Sequence, residues 1–115
     1  MWPHVWEHVF AMTSDAHVYR RFKRALSNGH LLQAIAEARD IPHVPLADAL
    51  ALCLLLEHHD DDRYERAATR WVGRFALECR RAELHDIRRA LDAFDAMPDP
   101  AARKTLQELA ATASR

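Results

Sequence analysis

Glycine and cysteine are scarce in this sequence of 115 residues, which contains two of each. Gly29 and Gly73 stand 44 positions apart, so the chain has no glycine-rich loop of the kind that binds phosphate groups. Cys53 and Cys79 lack the paired spacing of a zinc site or of a redox-active CxxC motif. We therefore interpret both cysteines as buried thiols in a reducing compartment.

Long apolar runs and a dominant charge are also lacking. The longest apolar run, residues 49–56, is far shorter than the roughly 20 residues that span a bilayer. The formal net charge is −1, which gives no general attraction to nucleic acid or to anionic membranes. We predict a cytoplasmic protein with no membrane partner, in which a nucleic-acid partner would need a local basic patch.

Helix-forming residues fill most of the remaining sequence, and no stretch alternates apolar and polar side chains as a half-buried strand does. Caps and periodicity predict an all-α fold of six to seven helices, near residues 1–12, 16–27, 30–39, 46–56, 62–79, 83–96 and 100–112. We expect Gly29 to end a helix in the left-handed conformation. Asp61 or Asp62 is expected to cap the fifth helix, and Asp99 followed by Pro100 to start the last one.

Short connections join the last six predicted helices, which predicts consecutive antiparallel hairpins. The hairpins form either a short array like an α-solenoid or a closed helical bundle. A chain of this length is expected to form a single helical domain over residues 1–115. The periodicity assigns the following side chains to inner faces: Val18, Tyr19, Phe22, Ala25, Leu26, Leu31, Leu32, Ile35, Ala38, Tyr64, Ala68, Trp71, Val72, Phe75, Ala76, Leu84, Ile87, Leu91 and Phe94.

The opening of the chain, residues 1–12, is rich in aromatic side chains. Trp2, Trp6 and Phe10 recur at helical spacing and share one face of the predicted first helix. These rings belong to the core if the segment packs on the domain, and they dock a second copy or another protein if it forms an arm. We favour the core, because a small domain gains stability from each buried ring.

Four arginines form a row along the fifth predicted helix, which we call the arginine row: Arg63, Arg66, Arg70 and Arg74. Their steps of three and four residues place the guanidinium groups on one side, where they can pair with phosphates or with an acidic partner. The alternative is a solvent-exposed face whose charges pair along the helix, Asp62 with Arg66 and Arg74 with Glu78.

A second basic cluster lies on the second predicted helix and comprises Arg20, Arg21, Lys23 and Arg24. It supports an alternative in which the protein binds nucleic acid. Tyr19 and Phe22 interrupt the cluster but fall on the predicted buried face, and the next helix offers few side chains that read bases. Nucleic acid is therefore the less favoured partner.

Metal, cofactor and catalytic sites are not predicted. His4, Glu7 and His8 resemble part of a zinc-binding motif but lack the later glutamate that completes it. The acidic turn at residues 57–62 is expected to cap a helix rather than to bind a divalent ion. No nucleophile stands beside an evident base, so we expect no enzymatic activity and no small-molecule substrate.

Three stretches between residues 24 and 96 read RALSNGHLLQAIAEARDI, LADALALCLLL and RYERAATRWVGRFALE. This pattern resembles short, uncharacterised all-helical proteins of high-GC bacteria, in which RW..RF lies on a long helix after an acidic turn. The resemblance implies a helical fold and no particular activity.

These features predict a non-catalytic module for protein–protein interaction. It binds another protein, or a second copy of itself, through the arginine row and through the rings of Trp2, Trp6 and Phe10. The alternative is a nucleic-acid-associated regulator that uses the second basic cluster or the arginine row. That alternative predicts binding that weakens steeply with salt, because counterions are released on binding.

Deletion of residues 1–12 tests the assignment of the aromatic segment. If its rings belong to the core, the shortened chain loses helicity and cooperative melting, both of which circular dichroism measures. A shortened chain that still melts cooperatively but no longer forms dimers in sedimentation experiments would make the segment an arm.

Overall fold

The computed structural model describes residues 3–114, and it describes side chains from residue 15 onward. Within residues 3–114 the backbone forms helices and no strand, which confirms the all-α prediction. The six helices are α1 (Pro3–Ser27), α2 (Leu31–Arg39), α3 (Leu46–His58), α4 (Tyr64–Glu78), α5 (Leu84–Ala96) and α6 (Pro100–Ala113). The chain divides into two units, Met1–Val44 and Pro45–Arg115. The single domain stays a prediction.

The first helix is continuous, which corrects the prediction of two helices separated near residue 14. The backbone passes through Thr13, Ser14 and Asp15 without a break. No glycine or second proline interrupts this stretch. Three residues of modest helix propensity cost less than two additional helix ends, each of which leaves backbone groups unsatisfied.

The first unit is a hairpin of α1 and α2. Gly29 takes a φ of +71°, which confirms its predicted left-handed conformation at the end of α1. The N–H of His30 donates to the carbonyl of Ala25 at 2.9 Å, and that of Gly29 donates to Leu26 at 3.2 Å. These two bonds form the Schellman motif, which satisfies the last carbonyls of a helix and reverses the chain.

The buried face of the first unit is narrower than the sequence predicts. Phe22, Ala25 and Leu31 are buried as expected, and Ala34 is buried with them. Leu32 is 74% exposed, so its assignment to the inner face is wrong. It stands one position, or about 100°, around α2 from Leu31, which is too far to share the same face.

The second unit is a closed bundle of α3 to α6. Each helix packs against the next, and α6 also contacts α3 and α4. Of the two predicted arrangements, these contacts form the closed bundle within this unit. Its core draws on all four helices: Leu46, Leu50, Cys53, Leu54, Ala68, Trp71, Val72, Phe75, Cys79, Ala90, Ala93, Phe94, Ala102, Leu106, Leu109 and Ala110.

The inner face of α5 also differs from the prediction. Ala90, Ala93 and Phe94 are buried, whereas Leu84 is 70% and Leu91 is 48% exposed. The two leucines lie on the same side of α5, at the edge of its apolar arc and beyond the part that neighbouring helices cover. Their assignment to the inner face is therefore wrong.

The acidic turn between α3 and α4 reverses the chain without glycine. Asp60 takes a φ of +50°, and the N–H of Asp61 donates to the carbonyl of Leu56 at 3.0 Å. This repeats the pattern that ends α1, with Asp60 at the position that Gly29 holds there. Because Asp60 and Asp61 form the turn, α4 begins later than predicted. Its N-cap residue is Arg63, whose side chain makes no capping hydrogen bond. Neither Asp61 nor Asp62 is the cap.

Trp71 holds α4 against its neighbours. Its indole N–H donates to the carbonyl of Leu46 on α3 at 2.8 Å. The ring stacks on Phe75 at 5.4 Å between centroids and meets the edge of Phe94 on α5 at 5.7 Å. The hydroxyl of Tyr64 donates to the carbonyl of Phe94 at 2.7 Å. Contacts to α3 and α5 together fix the rotation of α4 about its axis.

Replacing Trp71 with phenylalanine is expected to lower the free energy of unfolding by roughly 1–3 kcal/mol, because the Leu46 carbonyl loses a buried donor and the smaller ring leaves space. Urea unfolding measures the loss. Tyr64→Phe is the matched control, since it removes a hydroxyl that is only half-buried, and we expect a smaller effect. Equal losses in the two variants would contradict the role given to Trp71.

Candidate partner-binding surface

The two ends of the arginine row are engaged with acidic side chains. Arg63 Nε and Nη2 each donate to the Asp61 carboxylate at 2.8 Å. Arg74 Nε donates to Glu78 Oε2 at 2.7 Å, which confirms the predicted pair along α4.

The two central members of the arginine row differ from its two ends. Arg66 and Arg70 are both exposed, and among the described side chains neither has an ion-pair partner. The predicted pair of Asp62 and Arg66 does not form. Asp62 lies before the start of α4, so the two residues do not have the helical geometry that brings positions four apart together.

Arg66 and Arg70 share one side of α4 with Gly73 and Leu77, and we call these four residues the outer face of α4. At about 100° per residue they lie within an arc of about 60°. All four are exposed, and Leu77 is 88% exposed. The opposite side of α4 is its buried side and comprises Ala68, Trp71, Val72 and Phe75. Ala76 is exposed, so its assignment to the inner face is wrong, because it stands about 100° around the helix from Phe75.

Gly73 leaves an open space in the middle of this face. A Cβ atom built on Gly73 would meet nothing within 4 Å, so packing inside the protein does not require glycine there. Within a helix, glycine is less favourable than alanine by about 1 kcal/mol. The position therefore carries a stability cost that no described internal contact explains.

Gly73 and Leu77 were not predicted to be members of this surface. A signal for both was present, because they follow Arg66 at seven and eleven positions, which is helical spacing. It also places them opposite Trp71 and Phe75. Neither residue is charged, so the pattern of charges along α4 does not indicate them.

The Asp61–Arg63 pair shifts the pKa of both groups. Hydrogen bonds from the side chain and the backbone N–H of Arg63 hold the pKa of Asp61 well below its usual range. The bond to Asp61 in turn raises the pKa of Arg63. Arg63 is therefore already occupied within its own chain and contributes little free charge to the outer face of α4.

Burial is the main cause of the pKa shifts of Cys53 on α3 and of Tyr64 at the start of α4. It raises the pKa of the Cys53 thiol to about 12, so this thiol is protonated and unreactive at neutral pH. Burial is also the main cause that raises the pKa of Tyr64 to about 12. Tyr64 thus keeps the proton that it donates to Phe94.

The second basic cluster lies on α1. Arg21 Nε donates to the Glu37 carboxylate oxygens at 3.1 and 3.2 Å, which ties α1 to α2. Arg20, Lys23 and Arg24 are exposed. The cluster is therefore divided between a structural ion pair and exposed cations.

Some predicted features lie outside the described residues. This holds for Trp2 and for the side chains of Trp6 and Phe10, as well as for those of His4, Glu7 and His8. Among the side chains that are described, no group of three His, Cys, Asp or Glu is placed to hold a metal ion. No helix in the described part of the chain has the length and apolar character needed to cross a membrane.

No known protein family, curated protein or solved structure matches the chain. The resemblance to helical proteins of high-GC bacteria stays a prediction. A functional assignment therefore depends on the geometry and the charge of α4.

Replacing Arg63 with glutamine is expected to return the pKa of Asp61 toward its usual value of about 4. The folded-state pKa is lowered, so the interaction stabilises the protein above the unfolded pKa and is lost as pH falls through the folded one. An NMR titration of the Asp61 carboxyl carbon measures the midpoint. A midpoint that stays low in R63Q would show that a group other than the Arg63 side chain lowers the pKa of Asp61.

Proposed function

We propose that this protein is a non-catalytic helical module that binds another protein through the outer face of α4. The observation that carries the proposal is the combination on one exposed face of two arginines and a leucine. Arg66 and Arg70 have no carboxylate partner among the described side chains, and Leu77 has almost all of its surface in water. Arginine is enriched at protein interfaces, and apolar side chains form their buried centre.

The rigidity of α4 supports the proposal. Trp71 and Tyr64 fix the helix to α3 and α5, so Arg66 and Arg70 project from a backbone that does not need to be ordered on binding. A preorganised surface loses less conformational entropy when a partner docks.

Further apolar surface in the second unit also supports it. Leu77 stands at the end of α4 and Leu84 at the start of α5, and these two helices pack against each other. Leu91 is exposed on the same side of α5 as Leu84. The second unit therefore has exposed apolar side chains on α5 as well as on α4.

The cytoplasm is the compartment that we propose for this module. Cys53 and Cys79 are both buried and free, as is usual for proteins of a reducing environment. Neither cofactor nor catalytic chemistry forms part of the proposal.

Nucleic-acid binding is the alternative function. Arg20 and Arg24 lie one turn apart on α1 and are exposed, which is compatible with phosphate contacts. The net charge of −1 gives this patch no wider basic field. We therefore treat a nuclease-sensitive partner as the result that would favour the alternative.

A pull-down from native lysate with the tagged full chain, with and without nuclease, tests the proposed function. We expect a stoichiometric protein partner that survives nuclease and is lost in the variant R66A/R70A. The matched control is R88A/R103A, which removes two exposed arginines of α5 and α6 and should retain the partner. The proposal fails if R66A/R70A and the control retain the partner equally, or if the partner is lost on nuclease treatment.

A further inference from the structure

We propose that the outer face of α4 binds an acidic α-helix of its partner, with carboxylates of that helix on Arg66 and Arg70 and an apolar side chain on Leu77. This inference rests on the proposed function and specifies the class of partner.

The charge on the outer face determines the sign of the partner. Arg63 and Arg74 flank the face and already have their own carboxylates. Arg66 and Arg70 have none among the described side chains, and the outer face itself contains no acidic residue. Guanidinium groups pair best with carboxylates or phosphates, which can accept two parallel hydrogen bonds. The complementary surface is therefore acidic.

The position of Gly73 favours a helix as the binding element. Interhelical distances are about 8–10 Å and depend on the size of the side chains at the crossing point. Gly73 has no side chain and open space above it, so a second helix can approach α4 most closely there. This close approach accounts for a residue that otherwise weakens α4.

The spacing along the face defines the partner sequence. Arg66 and Arg70 are one turn apart, and Leu77 stands eleven residues after Arg66, about 16 Å along the axis. A facing helix matches this face with two acidic residues one turn apart, a small residue at the crossing and an apolar residue one turn beyond. Because charge pairs form at one end of the face and an apolar contact at the other, they also fix the direction of the partner helix along α4.

A second copy of α4 does not meet these requirements. In an antiparallel pair of α4 helices that cross at Gly73, Arg70 faces Ala76, because each stands three positions from the crossing. The position opposite Arg66 lies beyond Glu78, where α4 has already ended. Neither Arg66 nor Arg70 then faces a carboxylate on the second helix. We therefore assign the face to a different protein.

Synthetic helical peptides are the probe. The acidic peptide carries two glutamates four residues apart, an alanine three residues further and a leucine four residues beyond it, on an alanine and glutamine background. A second acidic peptide has the reverse order, for the antiparallel orientation. In the control peptides both glutamates are replaced by lysine. Fluorescence anisotropy measures binding to the full chain.

We expect at least one acidic peptide to bind and neither lysine peptide to bind. R66E/R70E should weaken binding of the acidic peptide by at least about tenfold and create binding of the lysine peptide. R88E/R103E, the matched charge reversal on α5 and α6, should leave binding unchanged. Gly73→Leu should keep the circular dichroism spectrum and raise the melting temperature, because leucine is the better helix former, but it should weaken binding, because its side chain blocks the close approach.

The inference is overturned if neither acidic peptide binds, if R66E/R70E binds as well as the wild type, or if G73L leaves binding unchanged. Self-association of the wild type that is lost in R66E/R70E, measured by sedimentation, would assign the face to a second copy and overturn it too. The pull-down separates this failure from failure of the proposed function. If no acidic peptide binds but R66A/R70A still loses a protein partner in the pull-down, the proposed interaction module is supported and the acidic helix as its partner is contradicted.

Discussion

The indole N–H of Trp71 is enclosed in the core of the second unit, where a donor without an acceptor would be costly. It bonds to the carbonyl of Leu46, and the ring packs at the same time on Phe75 and Phe94. A hydrogen bond needs a particular direction, whereas apolar packing tolerates small rotations. This bond therefore sets the angle at which α4 lies in the bundle, and with it the side of α4 that meets solvent.

Local signals predicted much of the fold because they act within a few residues. Gly29 reverses the first hairpin, and Asp99 caps α6 through the N–H of Ala101 at 3.0 Å, both as the sequence indicates. The continuity of α1 was not predicted, because Ser14 and Asp15 are typical N-cap residues, which act as caps only where a helix begins. Residues 13–15 do not by themselves determine whether a new helix begins there, and in the structure α1 continues through them.

Burial at the edges of a helix could not be predicted in the same way. Periodicity gives the phase of the apolar side of α5, but the share of that side that is covered depends on where α4 and α6 lie. Leu84 and Leu91 belong to the uncovered share. The partners of the arginine row also depend on a boundary. Because α4 begins at Tyr64, Asp61 pairs with Arg63, and Arg66 is left without the partner that the sequence suggested.

The acidic turn affects how a charged partner would approach α4. Asp61 is paired with Arg63, but Asp60 and Asp62 also stand just before the helix, while Arg66 and Arg70 follow within its first two turns. Negative charge is therefore followed by positive charge over a length comparable to the Debye length of about 8–10 Å. At such short distances salt does not fully screen either group of charges. An acidic segment is repelled at one end of α4 and attracted beyond it. The encounter is thus oriented along the helix before any contact forms, by electrostatic steering on a protein that is nearly neutral as a whole.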